Sequence, residues 1–278
     1  MKNRIAYMPL NTYPDAVPDE AVRAAVSFAM SLGFGLHATT FAVNIPQLRS
    51  PLGGLVLDVQ GLARAAEERS RAESHRLGSV AQEAGSAINL EVNHRQVVLG
   101  AVLDAAAYEA RYFDLVVLPW SGENRTTQED MTEAVVFGSG RPTIVVPPST
   151  HPKKLNHIAV AWDGSRVAAR ALGDVLTLLP KGGRISVLTV KGEKALAGEG
   201  IAGILAATLM KRGIDAQAQE IALEERAIAR ALQDAALEAG ASLLAMGGFG
   251  HSRVRDFILG GATKGVFLDL LLPVLLSH

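Results

Sequence analysis

Apolar and polar positions follow two rhythms along this chain, and the rhythms take turns. Short runs rich in Val, Ile and Leu read as buried strands. Between them lie longer stretches with apolar residues three and four apart, which read as amphipathic helices. The order is clearest in the second half. Ile158–Trp162 reads as a strand. Ser165–Leu179 reads as a helix with Ala168, Leu172, Val175, Leu176 and Leu179 on one face, and Asp163-Gly164-Ser165 supplies its turn and N-cap. Pro180-Lys181-Gly182-Gly183 stops it. Then come a strand at Arg184–Val190, a helix at Gly200–Arg212 closed by Gly213, and a strand at Ala216–Ile221. A helix at Glu224–Ala239, a strand at Ser242–Met246, a helix at Ala262–Leu271 and a strand at Pro273–Leu276 complete the series. Such alternation predicts an α/β fold, a doubly wound parallel sheet with helices on both faces.

The chain says this twice. Ile5–Pro9 resembles Ile158–Trp162, Tyr112–Pro119 resembles Ala241–Gly247, and Pro142–Val146 resembles Pro273–Ser277. The Pro-rich, polar segment Pro147–Lys154 suits a linker. Two tandem domains are therefore expected, at 1–149 and 154–278. In the first, a strand at His37–Val43 leads into an excursion, Asn44–Leu62, with Pro46, Pro51, Gly53 and Gly54. It reads as a loop or flap before a charged helix at Ala63–Ala84.

Composition narrows the picture. Apolar residues make up 49 % of the 278 positions but aromatics only 5 %, so the core must be aliphatic. The net charge is −1 and no Lys/Arg block stands out, which argues against a nucleic-acid or anionic-membrane footprint. There is no cysteine, so disulfides, thiol catalysis and cysteine–metal sites are excluded. The first residues lack the apolar stretch of a signal peptide, and no later stretch reaches the ~18–20 apolar residues of a membrane span. A cytoplasmic protein is the expectation.

The chemistry concentrates in Met246–Thr263, MGGFGHSRVRDFILGGAT, which carries Gly247-x2-Gly250-x9-Gly260-Gly261-x-Thr263. A glycine turn leaving a strand lets backbone N–H groups approach a ligand. A glycine pair at a helix start adds free donors and the positive end of the helix dipole. Together these describe a phosphate cradle. The bland alternative is turn chemistry and close helix packing. Asp163, at the end of its strand, is either a ligand contact or a helix cap, and both can hold. Val190 reads first as core. His251, Ser252, Arg253 and Arg255 read as solvated surface, with Arg253 or Arg255 within reach of terminal phosphates. Other motifs fail. Gly260-x4-Gly265 is followed by Val266-Phe267, so it is no P-loop, and Arg253 replaces the third glycine of a dinucleotide fingerprint. The seven histidines are scattered, and no Gly-x-Ser-x-Gly elbow is present.

In these residues the second half resembles a universal stress protein domain, and the whole chain resembles the tandem form of that family. The family pattern is Gly-x2-Gly-x9-Gly-(Ser/Thr) after a strand. The resemblance implies that Asp163 holds the adenine or its ribose and that Val190 packs on the base. It implies that Gly247, Gly250, His251, Gly260 and Gly261 surround ribose and phosphates, with Thr263 near the phosphates. It implies ATP or a related adenine nucleotide as ligand, Mg²⁺ accompanying the phosphates. It also implies an adenine nucleotide alpha hydrolase-like fold whose final strands, Thr143–Val146 and Val274–Leu276, pair inside one chain as an intramolecular pseudo-dimer.

Two departures follow. Gly261 stands where the family has Ser/Thr, so a hydroxyl contact is lost and weaker binding is expected. In the first domain, Leu10 aligns with Asp163, Pro119 with Gly247, and Glu129-Asp130 with Gly260-Gly261. Carboxylates in a phosphate cradle repel the ligand, so one nucleotide site per chain is expected, in the second domain. The function implied is a stress-response regulator or sensor that binds nucleotide and at most hydrolyses it slowly. The rival is a nucleotide-independent protein-interaction module with a decayed site. The stress, the protein partner and any homodimer are left open.

Overall fold

The computed structural model describes residues 4–46, 58–122, 125–150, 154–192, 198–248 and 261–278. Ten strands form one sheet. In chain order they are β1 (Ile5–Asn11), β2 (Gly35–Asn44), β3 (Leu90–Val98), β4 (Leu115–Pro119) and β5 (Thr143–Val146) in the first half. The second half adds β6 (His157–Ala161), β7 (Arg184–Lys191), β8 (Asp215–Ala222), β9 (Leu243–Gly247) and β10 (Val274–Ser277). The spatial order is β3-β2-β1-β4-β5-β10-β9-β6-β7-β8. Each half is thus the same five-stranded parallel unit. The one antiparallel join is β5·β10, with Val145 opposite Val274, Ile144 opposite Leu275 and Thr143 opposite Leu276. The intrachain pairing of the final strands, expected from the sequence, is present.

Helices α1 (Asp19–Ser31), α2 (Val59–Ala84), α5 (Arg166–Leu178) and α6 (Ile201–Lys211) cover one face. Their core is continuous through both halves, from Val22, Ala25 and Leu77 through Ile144 and Leu275 to Val175 and Leu209. Helices α3 (Val102–Ala110), α4 (Arg125–Ser139), α7 (Ile228–Glu238) and α8 (Gly261–Leu268) cover the other face. There the halves meet through Trp120 stacked on Phe267, ring centres 5.1 Å apart. The strands are buried on both faces, which explains why they read as apolar runs rather than alternating ones.

Most element positions follow the sequence pattern, and three boundaries differ by three or four residues, one of them the end of α8 at Leu268 rather than Leu271. α2 starts at Val59, not Ala63, because the Asp58 carboxylate accepts the Gly61 N–H at 2.8 Å and caps the helix early. The core of the Asn44–Leu62 excursion, 47–57, lies outside the described residues. α7 starts at Ile228, not Glu224, since Glu224 and Glu225 take left-handed φ values of 47° and 67° in a turn.

The register of the sheet corrects one alignment. Aligning the two Pro-led final strands, Pro142 with Pro273, makes Thr143 the counterpart of Val274. Val116 sits beside Thr143 and Leu244 beside Val274. Tyr7 sits beside Val116 and Ala159 beside Leu244. Tyr7 therefore corresponds to Ala159, and the counterpart of Asp163 is Asn11, not Leu10. One apolar strand slides on another in sequence space without penalty, and only hydrogen-bonded register removes the ambiguity. The same bookkeeping keeps Pro119 opposite Gly247 and places Phe41 opposite Val190.

Candidate functional site

Asp163, Val190 and Gly247 converge at one place. Asp163 lies just after β6, Val190 is the next-to-last residue of β7 and Gly247 ends β9, and these strands are neighbours in the order β9-β6-β7. The chain leaves β6 toward β7 on one side and returns as β9 on the other. The crevice between β6 and β9 is therefore the topological switch point, where ligands of doubly wound sheets bind.

The turn after β6 is built locally. Oδ1 of Asp163 accepts the Ser165 N–H at 2.9 Å, an Asx turn. Gly164 sits between them at φ 76°, where a side chain would be strained. Ser165 is the N-cap of α5, its Oγ accepting the Ala168 N–H at 3.2 Å. Asp163 and Ser165 thus divide the work: one shapes the turn, the other caps the helix. Thr189 Oγ1 donates to the Trp162 carbonyl at 2.7 Å and ties β7 to the same turn. Val190 is partly buried and packs against the core cluster that holds Leu188, Ile221 and Leu232, so its core role is present whatever else it touches.

Gly247 has a reason of its own. A Cβ there would lie 2.6 Å from Val167 Cγ2 and 2.8 Å from the Ala168 nitrogen. The first turn of α5 runs across the end of β9 with no room for a methyl group. Gly247→Ala is expected to push that turn, and the Asp163 turn with it, costing about 1–3 kcal/mol of stability in urea unfolding. An unchanged midpoint would mean that the α5 turn yields freely.

Sequence reasoning missed the residues that anchor the start of the glycine loop. The Gly248 N–H donates to the Ser277 carbonyl at 2.7 Å, and His278 Nδ1 lies 3.3 Å from the Gly248 carbonyl. Val136 of α4 comes within 3.4 Å of a Cβ placed on Gly248, and Phe137 packs edge-on against His278. The first half therefore touches the rim of the second half's crevice. Only the antiparallel β5·β10 join brings these distant segments together, and no local pattern signals it. Gly250, His251 and Gly260 lie outside the described residues, as do Arg253 and Arg255. Gly261 and Thr263 fall in the first turn of α8.

The corresponding crevice of the first half is built differently. Asn11 Nδ2 donates to the Tyr13 carbonyl at 2.7 Å, the reverse polarity of the Asp163 turn. Phe41 is fully buried where Val190 is only partly so. Residues 120–124 join β4 to α4, against 248–260 between β9 and α8, so the first half lacks the long connection of the second. Gln128 bridges what remains, its amide receiving the Ser121 N–H at 3.0 Å and donating to Ser121 Oγ at 2.7 Å. Glu129 and Asp130 lie inside α4, beyond its first turn, and not at a helix start as Gly261 does. A shallow cleft remains, lined by Pro9, Asn11, Val17, Pro119, Gln128 and Met131 among others.

Residues 154–278 match the family model described as the universal stress protein family. This half is a universal stress protein domain. Among solved structures, a universal stress protein from Archaeoglobus fulgidus DSM 4304 superposes with a TM-score of 0.67 at 16 % identity, covering 98 % of this chain and 96 % of that one. A functionally unknown protein from Pseudomonas aeruginosa PAO1 gives 0.54 at 12 % identity, covering 98 % and 92 %. At such identities the likeness concerns the fold, and it runs through both halves. Among curated proteins there is no significant match. Within the described residues, no helix is long and apolar enough to cross a membrane, and no group of three or more His, Cys, Asp or Glu could hold a metal ion. The universal stress protein domain thus brings Asp163, Val190 and Gly247 to one crevice, while the first half repeats the fold without the long loop.

Proposed function

We propose that the universal stress protein domain binds one ATP or related adenine nucleotide per chain, and that the first half binds none. The observation that supports the reading is Asp163, held by its Asx turn at the carboxyl end of β6, beside the strand from which the glycine loop departs. An acidic side chain fixed at a switch point suits the amino group of a base or the hydroxyls of a ribose. Gly247, Gly250, Gly260 and Gly261 would offer backbone N–H groups to ribose and phosphates, and His251 and Thr263 would lie near them. Mg²⁺ would arrive with the phosphates. The site is one of recognition, and bound nucleotide acts by biasing a conformation or a partner contact in a cytoplasmic stress response.

The test is direct. Freshly purified chain is denatured and the released small molecules are identified by mass spectrometry, then ATP·Mg²⁺ is titrated by calorimetry. One adenine nucleotide per chain is the expected result. No released nucleotide and no heat at millimolar ATP would leave the glycine loop as a turn and favour the nucleotide-independent interaction module.

A further inference from the structure

The free edge of the second half carries two features that belong together. Among the described residues β8 is the last strand of the sheet and pairs only with β7. It contains no proline, lysine or arginine, the residues that usually block an open edge. Its acids Asp215 and Glu220 are already neutralised by Arg184 and Lys191 of β7. Beside it, α6 packs on β7 and β8 through Ala202, Ala206 and Leu209, leaving Gly203, Ile204, Ala207 and Met210 in solvent. Ile204 is 65 % exposed and Met210 55 %, so the outer face of this helix is largely apolar, with Thr208 its one exposed polar residue before Lys211. The opposite flank is more mixed: the outer face of α2 carries Arg64, Glu68, Arg69 and Arg71 beside exposed Leu62, and β3 carries Arg95 along with exposed Val98.

We infer that a second copy of this chain docks here across a two-fold axis, β8 against β8 antiparallel and α6 against α6. The geometry favours this occupant. Strands in a sheet lie about 4.8 Å apart, and α6 covers the β7–β8 groove. Continuing the sheet into a second copy places the two α6 helices two strand spacings apart, about 10 Å, the distance at which helices pack. Antiparallel α6 helices bring Gly203 of one copy against Ala207 of the other and the two Ile204 side chains together near the axis. The same arrangement sets the exposed Glu199, just before α6, level with the exposed Lys211 and Arg212 at the end of the other α6. The charges at the helix ends are therefore complementary to a reversed copy of themselves. The join repeats outside the chain what β5·β10 does inside it. The footprint, one eight-residue strand and one short helix, comes to about 500 Å² per copy. Standard interfaces take about 800 Å² per partner, so dissociation in the range of roughly 10–100 µM is expected.

Sedimentation velocity on the full chain, from roughly 1 to 500 µM, tests the inference. A 29.3 kDa species at low concentration giving way to its dimer is expected. Ile204→Glu, at an exposed position that leaves the fold intact, should weaken the dimer at least tenfold, whereas Val98→Glu at the β3 edge should leave it unchanged. Because the chain has no cysteine, Ile204→Cys offers a second readout: oxidation should trap a disulfide-linked dimer far faster than it does for Ser79→Cys on α2. A chain that stays monomeric throughout overturns the inference. So does a dimer that survives Ile204→Glu, or one that Val98→Glu abolishes instead.

Discussion

Leu275→Ala is expected to cost about 3–5 kcal/mol of stability and to lower both halves together. Leu275 is fully buried and sits opposite Ile144 at the centre of the β5·β10 join. Its side chain belongs to the core that runs unbroken from α1 and α2 to α5 and α6. A cavity there is shared, since neither half can close it without moving the other. The chain provides a reporter for each half: Trp120, buried against Phe267, and Trp162, partly buried after β6. In urea, Trp120→Phe and Trp162→Phe backgrounds isolate one signal each. The two transitions should coincide and should move to lower urea by the same amount when Leu275 is truncated. Two separated transitions, only one of them shifted, would mean that the halves fold as independent units and that the continuous core carries little coupling.

The parts of the fold that were legible in the sequence are those fixed by local physics. Strands covered on both faces must be apolar, so Ile158, Val160, Leu243 and Leu244 announced themselves. The Asp163-Gly164-Ser165 turn was readable because Asx turns and N-caps use residues within three positions of one another. What could not be read depends on distance along the chain. Leu10 and Asn11 are both reasonable partners for Asp163 until the sheet register chooses Asn11. Gly247 invites a ligand reading, yet its missing Cβ faces Val167 and Ala168, some eighty residues away in sequence, and nothing near it says so. Gln233 is a polar residue on an amphipathic helix, so the pattern places it in water. It is fully buried, donating to the Asp269 carbonyl at 2.9 Å and accepting the Leu271 N–H at 2.8 Å to fasten the end of α8. The short 120–124 connection was legible only as a failed alignment, and its bridging by Gln128 needed the fold.

These contrasts explain how one half can keep the architecture without the long connection that follows β9. The core positions of β1, β2 and β4 are as deeply buried as those of β6, β7 and β9, so the fold holds without the loop. Trp120, where the second half has Gly248, stacks on Phe267 of α8. The first half therefore spends the position on packing against its neighbour, and in return Val136 and Phe137 frame the start of the glycine loop.

If the second half holds adenine nucleotide, Asp163→Ala should reduce ATP affinity by roughly 10- to 150-fold, the 1.5–3 kcal/mol of a hydrogen bond made to a charged group. The turn also loses the Asp163–Ser165 bond, but the Ser165 cap on α5 stays, so the fold should lose no more than about 1 kcal/mol. Asp163→Asn separates charge from shape: the amide oxygen still accepts the Ser165 N–H, while the negative charge that would favour an amino group is gone. Its affinity should fall between wild type and Asp163→Ala. Asn11→Ala removes the corresponding side chain in the first half and should leave both affinity and stoichiometry unchanged, because residues 120–124 give phosphate no cradle there. Calorimetry on the four proteins decides the matter. Equal losses at Asn11 and Asp163 would sink the single-site reading, and tight binding by Asp163→Ala would move the recognition of the base to another residue of the crevice.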